Sequence, residues 1–162
     1  SGRIAVPAAD ARISFIDARD VAAVAATAMV EPGHEGTAYT LTGPSALDHE
    51  DIARILETVS GRRIAYVPLA ETEARAQILE SGLGSDRAER LIRFYRLVRH
   101  GLAAPVSKDV ETVLRRPAIS FEQFARDQAM VWRTRAVHGA AAAADPANGD
   151  EGGLATRENS KG

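Results

Sequence analysis

Residues 12–44, RISFIDARDVAAVAATAMVEPGHEGTAYTLTGP, decide how the chain is read. The stretch opens with an apolar run, residues 13–16, of the size and residue type of a short strand. Asp17 and Asp20 follow, and either carboxylate is able to cap the helix that comes next. Val24, Ala25, Ala28 and Met29 then recur at the spacing of one helical face, until Pro32 and Gly33 stop it. In residues 37–42, Ala38, Thr40 and Thr42 alternate with Tyr39 and Leu41, the period of a second strand, and Gly43 and Pro44 end it.

Upstream of that stretch, residues 1–11 read as an extended entry containing Pro7. Downstream, Asp48 caps a helix whose Ile52, Ile55, Leu56 and Val59 share a face and which Gly61 closes. Residues 64–67 make a third strand, ended by Pro68, and residues 71–81 a helix carrying Ala74, Ile78 and Leu79. Ser85 caps a long helix to His100, with Leu91, Phe94, Tyr95 and Val98 turned inward. Ser107 caps a short helix with Val110, Val113 and Leu114. Ser120 and Gln123 form a capping box, stapled by Ile119 and Phe124, for a last helix to about residue 132. From residue 136 the chain turns to Ala, Gly, Asp, Glu, Asn and Ser, a tail with little to bury and the composition of disorder. Residues 1–135 are therefore expected as one folded unit and 136–162 as a disordered tail.

Strands separated by helices, without hairpin turns, lie parallel. Parallel strands sit in sheets covered on both faces, so a few short ones leave edges open to a further half or another subunit. The expected class is α/β: the C-terminal part of a Rossmann-like doubly wound fold, helix-rich, with about three short, mainly parallel strands.

The 162 residues are 45% hydrophobic but only 5% aromatic, which predicts a core of Ala, Val, Ile and Leu. A net charge of -2 argues against a nucleic-acid binder. Arg87, Arg90, Arg93, Arg96 and Arg99 fall at every third position and read as a solvated helical stripe, with an anion or partner site as the alternative. The chain has no Cys, which excludes disulfide and thiolate chemistry and suits a cytoplasmic setting. No apolar run has the length of a membrane span.

Motifs for chemistry are sparse. The dinucleotide fingerprint G-x-G-x-x-G does not follow any strand; Gly82 and Gly84 stand at a helix end and the pattern fails at Arg87. Gly33 and Gly36 bracket a plain turn. A catalytic Tyr followed four residues later by Lys is missing too: Gly43, Ala70 and Arg99 stand at that distance from Tyr39, Tyr66 and Tyr95. The guanidinium of Arg99 is a poor proton relay. His34, His49, His100 and His138 have no metal-ligand spacing, and His49 lies among the acids of a helix first turn. Asp17 and Asp20 resemble a catalytic carboxylate pair but are better read as caps. No catalytic, cofactor-binding or metal residue is assigned. If the chain carries a substrate pocket, it needs apolar walls, and Phe94 and Tyr95 are the candidates.

Taken together, RISFIDARDVAAVAATAM, GHEGTAYTLTGPSALDHEDIARIL, SGRRIAYVPL and SGLGSDRAERLIRFYRLVRHGLAAPVSKDVETVLRRPAISFEQFARD resemble, in order, the C-terminal half of NmrA-like proteins. These are atypical short-chain dehydrogenase/reductases, and the quinone-oxidoreductase-like branch is the most similar. The resemblance implies NAD(P)H-dependent reduction of a quinone-type small molecule. It also implies a nucleotide site in an N-terminal half, so that this chain alone is inactive and binds no NAD(P) tightly. In that alignment residues 37–42 supply the last sheet strand, and Asp20, Thr42, Gly43 and Pro44 match recurrent family positions. The alternative reading is a non-enzymatic NADP-linked regulatory or docking module, completed by a partner chain or by self-association through open strand edges.

Overall fold

A computed structural model describes residues 2–134 of the chain. The order is β1 (Gly2–Val6), α1 (Ala18–Val30), α2 (His49–Ser60), β2 (Ile64–Pro68), α3 (Glu71–Glu80), α4 (Ser85–Arg99), α5 (Asp109–Leu114), α6 (Phe121–Asp127) and α7 (Ala129–Thr134). The tail expected from residue 136 lies outside the described residues.

The α/β class and the parallel pairing hold, but two of the expected strand positions do not. The sheet is β1 beside β2, parallel, in register from Gly2↔Ile64 to Val6↔Pro68. β1 is the stretch read as an extended entry. Its Ile4 and Val6 point into the core while Arg3 stays exposed, the alternation of a half-buried strand. Residues 13–16 form no ladder because consecutive residues address different partners. Ile13 exchanges both backbone hydrogen bonds with Leu47, at 2.9 and 3.0 Å, whereas the Ser14 amide donates to the Ala103 carbonyl at 2.9 Å. Residues 37–42 are held by side chains instead of a neighbouring strand. The Thr40 amide donates to the Asp109 carboxylate at 2.6 Å, the Ser107 hydroxyl to the Thr40 carbonyl, and the Ser107 amide to Thr42 Oγ1 at 3.0 Å.

α2 packs against both strands and against α6 and α7. Ile4, Val6, Ile52, Leu56, Ile64 and Val98 form the centre of the core. Asp48 caps α2 with a reciprocal box: its carboxylate accepts the Asp51 amide at 2.8 Å, and Asp51 accepts the Asp48 amide at 3.4 Å. Gly61, at φ 68°, ends the helix in the left-handed conformation that a side chain resists. Ser120 caps α6 as expected, but Gln123 does not return the bond; its side-chain amide reaches Asp127 at 2.6 Å. α6 stops at Gln128 and α7 begins after it, so the single last helix is two.

α3 and α4 lie side by side, clamped by Glu71, which takes both Arg96 and Arg99. The two guanidiniums hold its carboxyl down at about 2. Arg99 Nη1 also donates to the Pro7 carbonyl at 2.6 Å. The expected arginine stripe is thus divided: Arg96 and Arg99 cross-link elements, while Arg87, Arg90 and Arg93 face solvent. The inward face of α4 is Ala88, Ile92, Tyr95 and Val98. Phe94, expected inward, is 47% exposed. Tyr95 and Val98 fix the buried line, and residue 94 sits about 100° away from Tyr95 around the helix.

α1 and α5 stand apart from that core. Val24, Val110 and Val113 are buried where the two helices meet. Asp17 caps α1, accepting the Arg19 amide at 2.8 Å, and Arg19 bridges Asp17 and Asp127 at 2.7 Å each. Asp20 is not a cap. Its side chain is completely buried: Oδ2 accepts the Ile119 amide at 2.6 Å, and Oδ1 lies 2.7 Å from Arg116 Nη1 as an ion pair without hydrogen-bond alignment.

Candidate functional site

Five rings from five separate segments converge at one side of the β1–β2 pair. Phe15 comes from the segment before α1, His49 from the first turn of α2, Tyr66 from β2, Tyr95 from α4 and Phe121 from α6. His49 is the hub. It stacks on Tyr66, with centroids 5.3 Å apart and planes 24° apart. Phe15 meets it edge-on at 6.0 Å, and Tyr95 lies tilted at 6.4 Å. Phe121 touches Phe15 at 5.8 Å. The Tyr66 hydroxyl leaves the cluster to donate to the Ala9 carbonyl at 2.8 Å, tying β2 to the loop after β1.

His49 is only 5% exposed, and its Nδ1 is buried with no hydrogen-bond partner. Burial disfavours the imidazolium and lowers its pKa, against a smaller opposing pull from Asp48. Burial also pushes the Tyr95 hydroxyl up to about 12, and raises that of Tyr66. At neutral pH the cluster is uncharged. It offers aromatic surface and no acid or base poised for proton transfer.

The depressed His49 pKa fixes the sign of a pH effect. Above about 6.5 the imidazole is neutral in folded and unfolded chain alike. Below it the unfolded chain takes up a proton that the folded chain refuses, so stability falls with falling pH until the lower folded value is passed. Urea unfolding at about pH 7.5 and about pH 5.5 should show this loss in the native chain. In His49→Phe, which keeps a ring in the cage, that part of the pH dependence should vanish; an unchanged difference would mean that His49 does not cause it.

Phe94 and Tyr95, the expected pocket walls, are in contact edge to face at 5.4 Å and 68°. Tyr95 is a member of the ring cluster, while Phe94 presents its ring to solvent. The carboxylates of Asp17 and Asp20 serve different partners and do not act as a pair. His34 lies in the turn and shares a 2.7 Å hydrogen bond with the Tyr39 hydroxyl. Among the described residues, no group of three His, Cys, Asp or Glu side chains gathers at metal-binding distance. The sequence reading missed His49 and Tyr66. The signal was present: His49, Ile52, Ala53 and Leu56 share the buried face of α2, which makes the histidine a core position.

A dinucleotide needs a helix N-terminus free to meet its pyrophosphate. The described helices from α1 to α6 all carry acid there: Asp20, Glu50 with Asp51, Glu71 with Glu73, Asp86, Asp109 with Glu111, and Glu122. Behind β2, the start of α3 is already filled, since the Ala70 amide donates to the Glu73 carboxylate at 3.0 Å. Acid thus opens six of the described helices, whereas α7 has none in its first turn.

No family model matches the chain. It is 36% identical to the NAD(P)H azoreductase of Xenophilus azovorans over 128 residues, which are 79% of this chain and 45% of that protein. The NADPH-dependent quinone oxidoreductase of Escherichia coli has the same arrangement, with a TM-score of 0.71 and 28% identity over 78% of this chain and 46% of that one. The triphenylmethane reductase of Citrobacter sp. shares the fold at a TM-score of 0.70 and 23% identity, over 80% of this chain and 45% of its own. The chain thus spans less than half the length of the relatives it matches, and those are NAD(P)H-dependent oxidoreductases with Rossmann-like folds. In sequence and fold it resembles the NmrA-like, quinone-oxidoreductase-like branch of the atypical short-chain dehydrogenase/reductases.

Proposed function

We propose that residues 1–135 form the C-terminal, substrate-side portion of a cytoplasmic NAD(P)H-dependent oxidoreductase that reduces a quinone-type acceptor. The observation that carries this reading is an uncharged aromatic cluster beside a parallel strand pair, in a body where α1 to α6 each open with acid, which disfavours phosphate there. Such a body contributes surface for a planar, conjugated molecule and leaves the nucleotide to be held elsewhere. An azoreductase and a quinone oxidoreductase among the relatives both act on conjugated acceptors, in keeping with that chemistry. Phe94 is the proposed contact wall. Its exposed ring is backed by Tyr95, which is anchored in the core and sets its position.

The test is titration of the isolated chain with NADPH, followed by nucleotide fluorescence, alongside an assay for reduction of a soluble naphthoquinone. Neither stoichiometric binding nor turnover is expected. Tight one-to-one binding with quinone turnover would reject the claim that the catalytic machinery lies outside these residues.

A further inference from the structure

We infer that the outer face of α4 seats the protein on an anionic lipid surface. At about 100° per residue, Arg87, Arg90, Arg93, Phe94 and Leu97 fall within an arc of about 120° around the helix. That arc lies away from the buried line of Ala88, Ile92, Tyr95 and Val98. All five side chains are exposed, Phe94 by 47% and Leu97 by 48%. Phe94 and Leu97 occupy the middle of the arc, and Arg87 and Arg93 its two margins. Past the helix, the Gly101 and Leu102 amides donate to the Val98 and Leu97 carbonyls at 2.9 and 3.2 Å. This turn holds Leu102, 67% exposed, at the end of the same helix.

The occupant follows from charge and shape. On the other flank of α4, Arg96 and Arg99 are taken by Glu71, and Glu89 is taken by Arg75. Among the described residues, Arg87, Arg90 and Arg93 have no ion-pair partner. Asp86 is the acid inside the arc, so the face holds three positive charges against one, on a chain of net charge -2. A helix that lies on a membrane combines arginines for the lipid phosphates with Phe and Leu for the acyl boundary, and this arc carries both. A nucleic acid would stack its bases on aromatic rings, and Leu97 and Leu102 offer none. A peptide would need a groove or a sheet edge, whereas a single helix face is convex. A reductase seated this way would meet lipid-soluble quinones at the Phe94 ring that the proposed function gives to the acceptor; the seat itself does not depend on that function.

The test is co-sedimentation of the chain with vesicles of phosphatidylcholine alone, and of phosphatidylcholine with about 30% phosphatidylglycerol. The chain should pellet with the anionic vesicles at about 50 mM salt, lose most of that binding at about 500 mM, and leave the neutral vesicles nearly untouched. Arg90→Gln with Arg93→Gln keeps helix propensity and disturbs no described ion pair, and should weaken binding roughly tenfold or more. Arg3→Gln with Arg63→Gln removes the same charge from exposed positions elsewhere, and should weaken it less than about threefold. Leu97→Gln should weaken binding and leave its salt dependence unchanged. Melting temperatures within about 2 °C of the parent would separate lost binding from lost fold. No binding to anionic vesicles, or equal binding to neutral ones, would overturn the inference, as would equal losses in the two double variants. So would polyglutamate bound as tightly as the anionic vesicles and unaffected by Leu97→Gln, because an acidic protein would then be the partner. A dimer that Leu97→Gln dissociates would overturn it too, since a second copy would be the occupant. None of these outcomes bears on NADPH binding or quinone turnover, which test the proposed function separately.

Discussion

Gly43→Ala should destabilise the fold by roughly 3 kcal/mol or more, a large share of the roughly 5–15 kcal/mol typical of a domain. A Cβ placed on Gly43 would lie 1.9 Å from the Phe15 carbonyl oxygen and 3.0 Å from its carbon. Both are backbone atoms, so no rotamer change relieves the contact. The two segments must part, and they are held at several points. The Gly43 amide donates to the Ser14 carbonyl at 3.4 Å, and the Ile13–Leu47 bridge and the Ser14–Ala103 bond lie beside it. Parting them also displaces Phe15, one wall of the ring cluster. Gly36 supplies the control. It has φ 68°, and a Cβ there would meet nothing within 4 Å, so Gly36→Asn bears only a modest backbone strain. Urea unfolding of both variants should show a large drop in midpoint for Gly43→Ala and a small one for Gly36→Asn. Similar small drops would mean that the close approach of Gly43 to Phe15 is not a constraint.

That contrast marks what was legible beforehand. Gly43 and Gly36 look alike in sequence, each beside turn-forming residues, and only the fold shows that one glycine is there for space. Helices were readable where a local rule suffices. Asp48 with Gly61 marked both ends of α2, and its apolar spacing gave the buried face. Strands were less so, because a strand is defined by its neighbour. Residues 37–42 alternate as a strand should, yet the described partners of that backbone are Asp109 and Ser107. Gly2–Val6 pairs with Ile64–Pro68 across most of the body, and no local signal records that pairing. The ring cluster suffered likewise, since its members come from five segments and only Tyr95 among them was named as a pocket wall. Met29 shows the same limit in reverse. Its spacing with Val24, Ala25 and Ala28 named an apolar face, but α1 is apolar on two faces, and the sequence does not say which one the body covers.

The second large effect belongs to an arginine that looks dispensable. Arg116 is 44% exposed, and removing an exposed arginine ordinarily changes stability little. Here its partner is Asp20, which is fully buried at 0%. Arg116→Ala leaves that carboxylate in the interior with the Ile119 amide as its remaining partner at 2.6 Å. Breaking one side of a buried pair costs about 3–5 kcal/mol, and water reaching the vacated arginine position should bring this toward about 2–4 kcal/mol. Asp20→Ala should cost a similar amount by a different route. It strips the Ile119 amide of its acceptor and removes the anchor that holds α1 against the segment before α6, while the half-exposed Arg116 finds water. Asp20→Asn keeps an acceptor for Ile119 and removes the buried charge, so on its own it should lose less. It should also make Arg116 expendable. Arg116→Ala added to Asp20→Asn should cost well under about 1 kcal/mol, giving a coupling energy of about 2 kcal/mol in a double-mutant cycle. Additive losses in that cycle would show that the two side chains act independently, and that Asp20 is held by the Ile119 amide alone.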